Sequence, residues 1–309
     1  MRFTTIIKWL VAVLFVAAVV WFSQRIVYSG EQKVVFGNVP SPLPSDAGIV
    51  LGEEQPETKT LHAKAGVVVN ADTGKVLYAE NAFEELPMAS ITKLMSSMVA
   101  LDNKIDLRKV VTIPPDDYTI GGNLRIVAGR ETVMVKDLFY ASITGSANNA
   151  ALTIAKLTNL TAEDFVAAMN RKSVELKLES LHFQEASGLS PQNTGSAYDI
   201  AQMAGYAFSH YPLILDAASQ KQYEIITQNT KRQHLIKNPD GLFESSFGQF
   251  AASKTGYLDE ALYCLVLAKK TPGGMIVAVT LGNPSKEDSE NETMQLLQKG
   301  ERMFIGANH

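Results

Sequence analysis

The sequence predicts an α+β fold, in which strands at the two ends of the globular region form one antiparallel sheet. Apolar, β-branched runs typical of strands lie near the start of this region and again at its end. The residues between them carry mostly helical periodicity. Strands and helices that are segregated in this way are typical of α+β domains. We therefore expect a five-stranded antiparallel sheet flanked by helices, with an all-helical subdomain inserted in the middle and a cleft between the two parts.

Five segments supply the predicted strands. A hairpin is expected over residues 65–80, because an apolar run is followed by the turn Ala-Asp-Thr-Gly and then by a second extended run. Three more strands, joined by short turns, close the globular region. They are predicted over residues 251–256, 262–269 and 275–282.

The helices are predicted from apolar residues at helical spacing. The first begins soon after Pro87 and covers residues 90–101, whose apolar side chains share one face. Further helices are predicted over residues 136–143, 149–157, 162–178, 197–210 and 292–304.

Composition excludes several classes of function. The 309 residues carry a net charge of −4, so no overall basic field is present to bind nucleic acid. The single cysteine, Cys264, excludes an internal disulfide and any multi-cysteine metal site, and we expect it to be a core residue on a strand. The five histidines include no pair at zinc-binding helical spacing. We expect neither a metal nor another cofactor.

Residues 6–22 form an almost wholly apolar run that is interrupted only by Lys8. At about 1.5 Å per residue, a helix of this length reaches roughly 25 Å, just short of the hydrocarbon core of a bilayer. We expect residues 1–28 to be a retained membrane anchor, with a cleaved signal peptide as the alternative. Residues 29–60 are rich in Pro and Gly and are predicted to be a disordered stalk. Either interpretation places residues 61–307, the predicted globular domain, outside the cytoplasm.

Ser90 and Lys93 lie three residues apart at the start of a predicted helix. Such residues share a helix face, so the hydroxyl and the amine can come within hydrogen-bond distance. A neutral lysine can accept the proton of a serine nucleophile if burial or a second cation lowers its pKa from about 10.4. Ser90 is equally suited to be a helix N-cap with Lys93 in solvent, and the pair alone does not decide between these interpretations.

Two further motifs carry polar groups that suit the same chemistry. Ser146 and Asn148 lie between two predicted helices, where the hydroxyl could relay a proton and the amide could hold a substrate carbonyl. A second helix N-cap is the alternative.

The third motif, Lys254, Thr255 and Gly256, lies near the end of a predicted strand. Gly256 would let a substrate backbone approach an edge strand, although a lysine exposed on such an edge is also a common device against aggregation.

The three motifs follow one another in a fixed order, with 56 residues from Ser90 to Ser146 and 108 residues from there to Lys254. Ser-x-x-Lys, Ser-x-Asn and Lys-Thr-Gly together form the set of penicillin-binding proteins and class A β-lactamases. On these motifs, and on residues 71–77, 87–93 and 196–199, the region 63–304 resembles the serine D-alanyl-D-alanine carboxypeptidases. These are the low-molecular-weight penicillin-binding proteins of peptidase family S11.

The resemblance implies a transpeptidase-like penicillin-binding fold and removal of the terminal D-alanine from the pentapeptide stems of peptidoglycan. It implies no cofactor, covalent inhibition by β-lactam antibiotics, and a location on the bacterial cytoplasmic membrane. It also implies that Ser90 is the nucleophile, that Lys93 is its general base, and that Ser146 passes the proton to the leaving D-alanine.

The same resemblance implies how the substrate is held. Asn148 would bind the peptide, and Lys254 would keep Lys93 neutral by charge repulsion. Lys254 and Thr255, next to Gly256, would bind the terminal carboxylate. The backbone N–H groups of Ser90 and Tyr257 would form the oxyanion hole.

The sequence departs from the family pattern at two places. Asn149 stands where the family often has Asp. The stretch after the last strand, where the family often has an arginine for the carboxylate, offers only Lys286.

Other functions remain as alternatives. A DD-endopeptidase or transpeptidase would use identical residues, and a non-catalytic wall-binding module would keep the fold. A class A β-lactamase is disfavoured, because such an enzyme should carry a Glu-x-x-Leu-Asn-like loop for deacylation. The region 183–193 has Glu185 as its only glutamate and lacks this pattern. A Ser-His-Asp hydrolase is disfavoured by the lack of a Gly-x-Ser-x-Gly elbow.

Overall fold

An antiparallel sheet of five strands carries the domain, with the strand order β2-β1-β11-β10-β9. The computed structural model describes residues 61–118, 122, 130–246 and 248–306, so the predicted anchor and stalk lie outside the described residues. As predicted, the first hairpin pairs with the last three strands, and Ala65 of β1 lies opposite Leu281 of β11. The five strands are β1 (Ala65–Asn70), β2 (Val76–Glu80), β9 (Ala252–Leu258), β10 (Leu262–Thr271) and β11 (Gly274–Asn283).

Three two-stranded pairs accompany the main sheet. They join β3 (Glu85–Pro87) to β6 (Thr194–Ser196), β4 (Val110–Val111) to β5 (Val133–Met134), and β7 (Gln222–Ile226) to β8 (Gln233–Lys237).

The helices cover both faces of the sheet and form a helical lobe beside it. They are α1 (Thr92–Asp102), α2 (Val135–Ile143), α3 (Asn148–Lys156), α4 (Ala162–Glu175), α5 (Ala197–His210), α6 (Pro212–Ala218), α7 (Leu242–Ser245) and α8 (Lys286–Gly306).

Strand alternation gives the sheet two cores. Val67 and Val69 point to one face, which α5 covers, and Val68 points to the other face, which α8 covers. Gly205 lets α5 approach closely, because a Cβ at this position would lie 2.1 Å from the Cβ of Ala71. Both faces of the sheet are therefore fixed by packed helices, and β9 is left as an edge strand.

Helix α1 lies in the middle of the helical lobe. Its residues from Thr92 to Ala100 are all buried, although several are polar, because α3, α4 and α5 pack around it. A helix that is buried on all sides is held by its surroundings rather than by an amphipathic stripe. The first turn of α1 is thus a rigid platform for the residues just before it.

The structure corrects several predicted boundaries. The helix predicted over residues 90–101 begins at Thr92, and Ser90 lies in a preceding 3-10 turn (Ala89–Ile91). The helix predicted to reach residue 178 ends at Glu175, shortly before Lys177 adopts the left-handed conformation (φ 58°). The last helix begins at Lys286, six residues earlier than predicted. The strand predicted to end at residue 256 continues to Leu258.

The described residues contain no helix that combines the length and apolar character needed to cross a membrane. The apolar run 6–22 lies outside them, so the predicted anchor stays a prediction.

Candidate active site

The backbone around Ser90 is held between two glycines. A Cβ on Gly188, whose φ is +84°, would lie 2.1 Å from the carbonyl oxygen of Ala89. A Cβ on Gly256 would lie 2.8 Å from the carbonyl oxygen of Met88 and 3.3 Å from the Ser90 nitrogen. Both positions therefore exclude any side chain. The sequence-based reason for Gly256 was the approach of a substrate, whereas the structure shows the close approach of the turn that carries Ser90.

Lys93 is completely buried, and its Nζ lies among three oxygen atoms. The distances are 2.7 Å to Ser90 Oγ, 2.8 Å to Asn148 Oδ1 and 2.5 Å to the carbonyl oxygen of Ser187. A neutral amine has two N–H groups and one lone pair. The carbonyl and amide oxygens can only accept, so they take the two N–H groups. The lone pair is then directed at the Ser90 hydroxyl, which is the arrangement that a general base requires.

Burial is the main reason why Lys93 can be neutral. It lowers the pKa of Lys93 from 10.5 to about 7, and the negative charge of Glu185 acts weakly in the opposite direction. The pKa of Lys254 is also lowered well below its usual value, first by burial and then by the nearby Lys93. The resemblance attributed the neutral state of Lys93 to repulsion from Lys254. In the structure, removal from solvent is what lowers the pKa of Lys93, and the repulsion between the two lysines lowers the pKa of Lys254.

Ser146 and Lys254 meet directly across the cleft. Lys254 Nζ donates to Ser146 Oγ at 2.9 Å and to the carbonyl oxygen of Thr255 at 2.8 Å. Lys254 is only 2% exposed, so it is not an aggregation-blocking lysine on a solvated edge. Ser146 is not a helix cap either, because α3 is preceded by Ala147 and Ser146 has the left-handed φ of 55°. This uncommon backbone conformation turns its hydroxyl toward the lysine.

An open cleft of about 650 Å3 lies above the two buried lysines. It begins at Ser90 and extends along the edge strand toward the start of α8. Six predicted site residues line it: Ser90, Ser146, Asn148, Thr255, Gly256 and Tyr257. The structure thus brings all eight predicted residues to one place. The described residues contain no group of His, Cys, Asp and Glu side chains that could hold a metal ion.

Cys264 lies on the strand next to the candidate site and lines the cleft. It lies opposite Gly256 in the pairing of β9 with β10 and is 2% exposed. Burial raises the pKa of its thiol to about 11, so the thiol is protonated at neutral pH. This environment agrees with the predicted core role.

Sequence reasoning missed the residues that hold Lys93 from the loop 183–193. Ser187 contacts Lys93 through its backbone carbonyl oxygen, and no side-chain motif predicts such a contact. Glu185 was considered only as a deacylating carboxylate. The glycine at position 188 was the one available signal, because a loop glycine often marks a left-handed backbone or a close approach.

Comparison with known proteins identifies the family. The model of the D-alanyl-D-alanine carboxypeptidase family, peptidase family S11, matches residues 52–285. This region is more than half of the chain, and the chain belongs to that family.

Relatives and solved structures agree with this assignment. The D-alanyl-D-alanine carboxypeptidase DacF of Bacillus subtilis is 30% identical over 76% of this chain, and the chain spans 61% of that relative's length. A D-alanyl-D-alanine endopeptidase of Pseudomonas aeruginosa is 27% identical over 85% of this chain and 84% of its own. The crystal structure of the Streptomyces K15 DD-transpeptidase is similar with a TM-score of 0.72 and 25% identity, covering 80% of this chain and 99% of that chain. The predicted penicillin-binding fold is confirmed.

The environment of Lys93 predicts its titration. In 13C-lysine-labelled protein, the Cε signal that is absent from a Lys93→Arg variant should titrate with a midpoint near pH 7, because burial disfavours the ammonium form. A midpoint above about pH 9 would contradict the proposed neutral amine, since Lys93 would then be charged at physiological pH.

Proposed function

We propose that the chain is a serine DD-carboxypeptidase that removes the terminal D-alanine from peptidoglycan stem peptides through an acyl-Ser90 intermediate. The 2.7 Å contact between Lys93 Nζ and Ser90 Oγ carries this proposal. It directs the lone pair of a buried amine, whose pKa is about 7, at the hydroxyl of a serine that lines the cleft.

Acylation would begin with transfer of the Ser90 proton to Lys93 as Ser90 Oγ attacks the carbonyl carbon of the penultimate residue. The backbone N–H groups of Ser90 and Tyr257 would stabilise the resulting oxyanion, each by about 3–4 kcal/mol. Ser146 would deliver a proton to the leaving nitrogen and would recover one from Lys93, which thereby returns to its neutral form, while Lys254 would hold Ser146 in place through their hydrogen bond. The C–N bond then breaks, D-alanine leaves, and water hydrolyses the ester on Ser90.

Substrate binding would use the edge of β9 and the opposite wall of the cleft. Lys254 and Thr255 would bind the terminal carboxylate, and Asn148 and Tyr257 would hold the stem peptide. The position of Thr255, Asn148 and Tyr257 in the lining of the cleft supports these roles. The outer edge of β9 can receive an extended peptide. A similar fold is known in a cefotaxime-bound form, as penicillin-binding protein D2 of Listeria monocytogenes (TM-score 0.70, 26% identity, covering 80% of this chain and 99% of that chain). This supports β-lactams as covalent inhibitors of the present chain.

Removal of the Ser90 hydroxyl should abolish the activity. We expect ampicillin to add one adduct to the wild-type protein, on the peptide containing Ser90, and none to Ser90→Ala. The variant should also release D-alanine from a defined pentapeptide at least about 10^3-fold more slowly, because it lacks the nucleophile. Intact-mass spectrometry and D-alanine assays measure both effects.

The matched control for this experiment is Ser209→Ala, at an exposed position of α5. Equal labelling of wild type and Ser90→Ala would refute the nucleophile.

An endopeptidase activity on cross-linked peptides is the second candidate. The cleft does not end at Thr255 but continues past Tyr263 to Lys286 and Glu290 at the start of α8. A leaving D-alanine has no need of this length, whereas the longer leaving group of a cross-linked stem would fill it. The Lys286–Glu290 pair, with 3.4 Å between Nζ and Oε1, offers one charge of each sign to such a group.

Product analysis separates these two activities. We expect the protein to release D-alanine from a monomeric pentapeptide and, because of the extended cleft, also to cleave a cross-linked muropeptide dimer more slowly. Chromatography with mass detection follows both substrates, and Ser90→Ala serves as the blank. Dimer cleavage without any D-alanine release would reverse the assignment and make the endopeptidase the main activity.

We further propose that residues 6–22 anchor the domain to the outer face of the bacterial cytoplasmic membrane. The apolar run and its interfacial Trp9 and Trp21 support this proposal. The full chain should remain in the membrane fraction after carbonate washing, and a variant lacking residues 1–28 should not. N-terminal sequencing of the mature protein provides the decisive readout, since a chain that begins near residue 29 would indicate a cleaved signal peptide instead.

A further inference from the structure

The loop 183–193 is organised around one carboxylate, that of Glu185. Its Oε2 accepts hydrogen bonds from the N–H and hydroxyl groups of Ser187, both at 2.6 Å. Its Oε1 accepts from three successive N–H groups, those of Gly188 (2.5 Å), Leu189 (2.9 Å) and Ser190 (3.4 Å). Both oxygens are thus occupied by donors of the same short loop, and the carboxylate fixes its shape.

Asn193 closes the loop from its far end. Its Nδ2 donates to Glu185 Oε1 at 2.8 Å and to Thr92 Oγ1 at 3.1 Å. Ser96 adds a second link to α1, because its hydroxyl donates to the carbonyl oxygen of Ala186 at 2.5 Å. The loop is therefore tied to the same helix that carries Lys93.

The loop brings the carbonyl oxygen of Ser187 to Lys93. This oxygen is one of the two pure acceptors around Lys93 Nζ, at 2.5 Å. Without it, the amine could turn an N–H group toward Ser90 in place of its lone pair. Ser187 is fully buried, so water has little access to replace its carbonyl.

We propose that Glu185 is a positioning residue for the general base: its carboxylate folds residues 187–190 into the loop whose Ser187 carbonyl orients Lys93. This inference rests on the proposed function, because it assigns a role in the activation of Ser90. Glu185 does not act as a base toward water, since both of its oxygens accept hydrogen bonds from the loop.

Glu185 also has an electrostatic effect that a purely structural residue would lack. The charged groups that act on the two buried lysines are Glu185, which acts on Lys93, and Lys93 and Asp240, which act on Lys254. The negative charge of Glu185 raises the pKa of Lys93, against the larger effect of burial. Removal of this charge must therefore lower the pKa of Lys93, and with it the pH at which the free amine appears.

Two variants separate geometry from charge. Glu185→Gln is nearly isosteric, but it loses the charge and replaces one acceptor oxygen with a donor. Glu185→Asp keeps the charge but shortens the reach to the loop. We expect both variants to be acylated by a fluorescent penicillin about 10- to 100-fold more slowly on the plateau above pH 8, because a misplaced catalytic group costs about that much. The acidic limb of the pH–rate profile should move to lower pH in Glu185→Gln and stay closer to the wild-type limb near pH 7 in Glu185→Asp.

The control is Glu179→Gln, an exposed carboxylate shortly before the loop, which should behave as wild type. Near-UV circular dichroism and thermal unfolding show whether each variant is folded. Plateau rates within two-fold of wild type, or slower rates with an unmoved acidic limb in folded Glu185→Gln, would overturn the role of Glu185. Failure of wild-type Ser90 to react would instead overturn the proposed function, so the two results are distinguishable.

Discussion

The site depends on the set of three oxygens around Lys93 Nζ. A lysine that is fully buried is stable only if its N–H groups have hydrogen-bond acceptors and its ammonium group can lose a proton to become neutral. Asn148, Ser187 and Ser90 meet both conditions. They accommodate the neutral amine, which accepts from Ser90, and equally the ammonium, which donates to all three. The proton can therefore move between serine and lysine without rearrangement of the surrounding groups, which is the benefit of a preorganised site.

The oxygens of this set come from distant parts of the chain, and the backbone is strained where they meet. Ala89 and Ser146 both have positive φ, at 47° and 55°. Such conformations cost about 1–3 kcal/mol each and persist only where packing determines them. The glycines at 188 and 256 supply this packing, because they allow a loop and a strand to touch the turn of Ser90 from two sides. The strain thus lies next to the proposed nucleophile Ser90 and at the proposed proton relay Ser146, and the buried helix α1 supplies the rigid support.

The sequence predicted what depends on side-chain pattern. The hairpin at 65–80, the closing strands and the three motifs were recognised because strand alternation, helical spacing and polar side chains can be read directly from the sequence. Tyr257 was named only through the family resemblance. The predicted helix start at Ser90 was two residues too early, because Ser90 lies in a 3-10 turn that packs closely against Gly188 and Gly256. The hairpin β7–β8 was missed because its residues are mostly polar and exposed. The Ser187 carbonyl was missed because backbone groups are the same at every position, and only folding brings it to Lys93 across 94 residues.

In the proposed function, the two buried lysines would link substrate recognition to activation of Ser90. Burial lowers the pKa of both lysines, and the charge of Lys93 lowers the pKa of Lys254 further. A substrate carboxylate bound beside Lys254 and Thr255 would change this balance, because its negative charge would stabilise an ammonium at Lys254. A positive charge at Lys254 would in turn disfavour a proton on Lys93, which would then be ready to accept one from Ser90. Under the proposed function, binding of a terminal carboxylate and formation of the free base would thus be coupled through the charge of Lys254. Such a coupling would be a physical reason to bury a reactive amine beside a second lysine and not beside a neutral residue.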